Sequence, residues 1–154
     1  MFDTPLDGIV LWMGLSVASL AALGVAVGLP TTSPPDAAGL ADAVDRVAAS
    51  PWQATARVPI EAEAIRLGST RLSLRSGGRT SHASFAVATA TPVGDGQLRR
   101  VLRGRAVSDV FDSQREFRRA LSRYPVRPIE WRDAPPRLRV RRVTWGEVDA
   151  TLVG

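Results

Sequence analysis

His82 is the only histidine, and it stands in Ser81-His82-Ala83-Ser84, a setting in which an imidazole could serve a serine nucleophile as base. On a strand, however, residues 81 and 82 point to opposite faces, and Ser84 lies ~7 Å from His82 along its own face. No Gly-x-Ser-x-Gly turn accompanies them. This pattern describes a structural histidine near a turn, not a base or a metal ligand. Two carboxylate pairs share a strand face, Glu61 with Glu63 and Glu147 with Asp149, and exposed pairs of that kind are solvated or face cross-strand arginines. Gly94-Asp95-Gly96 is a turn and not a phosphate-binding glycine loop. The chain holds no cysteine, which removes disulfides, thiolate metal sites and Cys nucleophiles. These residues lead to the expectation of a protein that is not an enzyme and has no cofactor or metal site.

The stronger signal is basic. All 20 cationic side chains are Arg, and the formal net charge is +5. Residues 31–90 hold six Arg against five acids, whereas residues 91–154 hold fourteen against eight. Arg115, Arg119 and Arg123 recur at four-residue spacing with Arg118 beside them, and Arg99, Arg100, Arg103 and Arg105 lie upstream. Such a stripe suits phosphates, lipid headgroups or acidic protein surfaces, or it stays a solvated face. Phe117 and Tyr124 fall on the apolar side of the same helix, and Trp131 and Trp145 lie between prolines or in a strand. A stacking platform for bases is therefore missing, and nucleic acid is disfavoured. The chain is rich in Ala, Arg, Gly and Pro and has neither Lys nor Asn. That reads as the product of a GC-rich genome, which weakens any argument that each arginine was chosen for its guanidinium fork.

Several elements position these residues. Residues 1–8 form a short tail with no Lys or Arg. Ile9 to Leu29 is an uncharged apolar run, ~31 Å long as a helix, which predicts a retained transmembrane segment. Gly14, Ala18, Ala22 and Ala26, with Gly24 and Gly28, make a small-residue stripe suited to close helix packing in lipid. The Pro-rich residues 30–35 stop that helix. Ser33 and Asp36 then form a capping box for an amphipathic helix from Pro34 to about Ala49, with Leu40, Val44 and Val47 on its buried face.

From Trp52 the period changes to two. A strand with Ala54, Ala56, Val58 and Ile60 inward carries Pro59, which marks an edge or a break. Hairpins turn at Gly68-Ser69-Thr70 and Ser76-Gly77-Gly78-Arg79, giving three or four antiparallel strands, with Ala83, Phe85 and Val87 alternating along the last. Residues 91–96 read as a loop. Leu98, Val101 and Leu102 suit one short helical face before Gly104. Ser113 and Glu116 cap a helix to about Tyr124, and residues 127–136 read as irregular. The strand from Arg137 slips phase at Arg141–Arg142, which predicts a β-bulge, and Val148, Ala150 and Leu152 alternate to the end. The fold class is α+β: a transmembrane helix, then residues 36–154 as a small antiparallel sheet domain with an amphipathic helix and one further helix.

In outline this order resembles a type IV pilin or pseudopilin. Leu6-Asp7-Gly8, however, lacks the basic residue of a pilin leader, and no acid lies between Ile9 and Leu29. More closely, MFDTPLDG, LGVAVGLP, PPDAA, IRLG, SGGRTSHA, LRRVLRG and LRVRRVTWGEVDATLV resemble an uncharacterised family of short haloarchaeal membrane proteins associated with pilus-like or secretion-like systems. That resemblance covers much of the chain and supplies no active site. It implies a non-enzymatic accessory or minor component of an archaeal assembly, with other membrane-anchored subunits as partners. The pilin likeness implies a single-pass cell-membrane protein with its C-terminal domain outside the cytoplasm. The alternative is a membrane-tethered module binding anionic lipid or nucleic acid through residues 99–123.

Overall fold

In a computed structural model of the chain, residues 33–86, 89–123 and 129–154 are described. In order they form α1 (Ala37–Ala48), β1 (Thr55–Pro59), β2 (Ala64–Leu67), β3 (Arg71–Ser76), β4 (Arg79–Ser84), β5 (Ala90–Pro92), α2 (Gln97–Leu102), α3 (Gln114–Ser122), β6 (Arg132–Asp133), β7 (Arg137–Trp145) and β8 (Val148–Val153), with a single 3-10 turn at Val107–Asp109. Contacts group Pro34–Gly154 as one unit. The transmembrane segment expected over Ile9–Leu29, with its stripe of small residues, lies outside the described residues. Among the described residues no helix is long and apolar enough to cross a membrane.

The first helix starts later than its sequence suggested. Asp36, not Ser33, is the N-cap, and its Oδ1 accepts the Gly39 N–H at 2.8 Å. The reason lies in the prolines: a residue before proline is driven from the α region, so neither Ser33 nor Pro34 can enter the helix. Leu40, Val44 and Val47 are buried as expected. They pack with Ile65, Leu72 and Leu74 on one side and with Leu138, Val140 and Val153 on the other. Each such side chain contributes ~1.5–3 kcal/mol by leaving water.

The strands do not form one meander. One sheet has the order β4-β3-β2-β6 and the other β1-β7-β8-β5. Both local hairpins form where the turns predicted them, with Leu72 and Leu74 inward. At Ser76↔Arg79 the two-residue turn puts Gly77 and Gly78 at φ 54° and 75°, the positive values that a tight hairpin needs. β1 leaves its sequence neighbours and pairs antiparallel with β7, Thr55 opposite Arg141. Pro59 ends that edge strand, where a missing N–H costs least. Thr91 and Pro92, expected to begin a loop, instead belong to β5, a strand parallel to β8. Within the expected irregular stretch, Arg132 and Asp133 pair with β2. Phe85 lies beyond the end of β4, and Val87 is outside the described residues.

The expected bulge in β7 is absent. Pairing with β8 runs without a break from Val140↔Val153 to Trp145↔Val148. What changes at Arg141–Arg142 is the buried face. Leu138 and Val140 point into the core around α1, whereas Val143 and Trp145 point to a second core formed by Leu98, Val101, Phe111 and Phe117. One strand forms part of both cores, so its apolar residues shift phase while its backbone stays regular. The two arginines at the switch point oppositely: Arg142 donates to the Ala48 carbonyl ending α1, and Arg141 donates to the Val101 and Arg105 carbonyls beside α2.

Candidate functional site: two arginine surfaces

The second core positions the expected arginine stripe. Ser113 caps α3, its Oγ accepting the Glu116 N–H at 3.2 Å, while Glu116 Oε2 accepts the Asp112 N–H at 3.0 Å. Phe117 is fully buried between Phe111, at 5.3 Å between ring centroids, and Trp145, at 6.3 Å. Burying Phe117, with Ala120 and Leu121 partly covered, turns Arg115, Arg118, Arg119 and Arg123 outward, and all four are exposed. Glu116, the acid inside the stripe, is held as the capping partner. No carboxylate of the described residues forms an ion pair with these four guanidiniums.

The upstream arginines do not extend that stripe. Arg99 and Arg103 sit one turn apart on and just after α2, and they line a cleft of ≈ 310 Å³ with Arg132 of β6 and Arg137 and Arg139 of β7. Asp133 also lines this cleft, and Asp95 pairs with Arg99. Across β1, Arg57 stands directly opposite Arg139. Partial desolvation, then Arg57 and Arg103, hold the Arg139 guanidinium below its ordinary pKa; burial, then Arg99, do the same at Arg132. The signal for this cluster was present in Arg137-Leu138-Arg139, whose alternation puts both arginines on one face. It was legible only as a solvated face, because nothing local shows which other arginines meet it.

His82 is exposed, and its Nδ1 lies 2.7 Å from the Oγ of Ser73, a cross-strand partner that its sequence neighbours did not suggest. Ser81 faces the other way and donates to the Pro35 carbonyl, as strand alternation requires. Glu63 accepts the Gly77 N–H at 3.2 Å, so it serves a turn. Glu147 is not on the strand face expected for it, because it belongs to the tight turn between β7 and β8. Among the described residues no three His, Cys, Asp or Glu gather as a metal site. A separate cleft of ≈ 350 Å³ lies among the Gly68 turn, β5 and the segment carrying Ile129 and Trp131. Its rim is held by Arg66, whose Nε donates to the Ile129 carbonyl at 3.0 Å, and Arg75 stacks over Trp131 at 4.9 Å.

The chemistry available is thus that of binding anions, spread over α3 and concentrated beside β7. No curated protein and no solved structure matches the chain. Residues 3–143 match DUF7283, a family of unknown function, and the chain belongs to that family.

Proposed function

We propose that the protein is a non-enzymatic, membrane-anchored accessory component of a pilus-like or secretion-like assembly, and that it docks acidic neighbours through α3. The observation that carries the docking is the row of four exposed guanidiniums whose nearest acid is engaged in capping. The membrane attachment comes from Ile9–Leu29, which is long enough and apolar enough to span a bilayer. The assembly comes from the pilin-like order of elements. Rim charges of this kind govern association rate and partner choice more than raw affinity.

The test is charge reversal on α3 in the full chain. Arg115→Glu, Arg119→Glu and Arg123→Glu together leave the fold intact and release the partner during purification in non-ionic detergent, with the wild-type complex weakening as salt rises. A wild-type chain that purifies as a strict monomer overturns the assembly reading, and a complex indifferent to the reversal overturns the α3 surface. Sidedness has its own measurement. Cysteines introduced at the exposed Thr70 and Ser108 react with an impermeant maleimide on intact cells if the domain lies outside. Reaction only after lysis overturns that orientation.

A further inference from the structure

The cleft beside β7 has a charge pattern that the fold does not require. Arg99 and Arg103 come from α2 and its C-terminal cap, Arg132 from β6, and Arg137 and Arg139 from β7, so segments distant in sequence supply five guanidiniums to one hollow. Two carboxylates answer them, Asp133 in the lining and Asp95 at Arg99. The other six acids after residue 90 lie outside that lining. Like charges placed directly across a strand pair, as Arg57 and Arg139 are, destabilise a sheet. Desolvation first, and then neighbouring guanidiniums (Arg57 and Arg103 at Arg139, Arg99 at Arg132), lower the pKa of both groups. An arrangement with this cost is relieved by a multivalent anion.

We propose that this cleft binds a phosphoryl group, with Arg103 and Arg139 as its principal ligands and Arg99, Arg132 and Arg137 around it. A guanidinium fork matches the spacing of phosphate oxygens, and the excess of positive charge calls for more than one carboxylate could bring. The volume of ≈ 310 Å³ is that of a small-ligand pocket and not of a groove for a helix or a peptide. The ligand is a soluble phosphate ester or the headgroup of an anionic phospholipid; both present the same chemistry to the cleft. None of these residues belongs to the α3 stripe, so the site stands or falls independently of the docking surface.

The experiment titrates inorganic pyrophosphate into the full chain in phosphatidylcholine nanodiscs, read by calorimetry at low ionic strength. Saturable binding at one site per chain is expected. Arg103→Gln with Arg139→Gln weakens it by about tenfold or more, as loss of charge-assisted hydrogen bonds does. Arg115→Gln with Arg119→Gln removes equal charge from α3 and leaves the affinity within about twofold, the neutral result for side chains that do not touch the ligand. Asp133→Asn removes the carboxylate in the lining and tightens binding. In phosphatidylglycerol nanodiscs, loss of pyrophosphate binding identifies the headgroup as the natural occupant, whereas unchanged binding identifies a soluble ester. Absence of saturable binding in phosphatidylcholine, or equal weakening by the two arginine pairs, overturns the proposal.

Discussion

The chain concentrates positive charge in two places, and the two are built by different means. On α3 a helical period sets Arg115, Arg119 and Arg123 about 6 Å apart along the axis, each facing water. One buried phenylalanine and one cap are enough to orient that face. In the cleft, Arg103 and Arg139 are 36 positions apart in the chain and become neighbours only because α2 packs on the sheet containing β7. Charges spread along an exposed helix are screened by salt almost individually, while charges gathered in a hollow raise the local potential and hold a counterion. Spacing in the sequence thus marks the surface proposed to dock a macromolecule, and convergence in space marks the one proposed to take a small anion.

The comparison can be broken most forcefully at Phe117. Phe117→Ala removes a ring that is fully buried and is expected to cost ~3–5 kcal/mol in denaturant unfolding. Amides of α3 should lose hydrogen-exchange protection first. Equal loss around Arg137–Arg139 would mean that the two surfaces share one cooperative unit. A smaller effect follows from the cap: Ser113→Ala should cost ~1 kcal/mol and fray the first turn of α3, leaving pyrophosphate binding unchanged. The smallest effect has the opposite sign. Arg139→Gln removes a like-charge pair with Arg57 and should stabilise the domain by ~0.2–1 kcal/mol at low salt. That gain should shrink as salt rises, since screening already relieves the wild type. A destabilised Arg139→Gln would show that its side chain supports the fold instead of opposing it.

Much of the local structure was legible because its causes are local. The Gly77-Gly78 turn, the Ser113–Glu116 cap, the apolar face of α2 and the outward row on α3 depend on residues within a few positions of one another. α1 starts three residues later than its capping pair suggests, because the exclusion of a residue before proline outweighs that pair. The absence of the β-bulge has a different cause. A shift of apolar phase in a strand has two physical causes, an extra residue or a change of buried face. The partners that β7 and β8 meet in the second core, which decide between them, come from residues 93–121. Strand alternation separates His82 from Ser81, yet its partner Ser73 belongs to the neighbouring strand and leaves no mark near position 82.

By itself, the sequence determined the periods, the turns and caps, the α+β class and the outward stripe of α3, since backbone preference and side-chain alternation act over a turn or two. Only the tertiary structure decided that β1 joins β7, that β5 runs parallel to β8, and that arginines from α2, β6 and β7 line one cleft. Pairings between distant segments are selected by how much apolar surface the whole chain can bury at once, and no short stretch of residues carries that information.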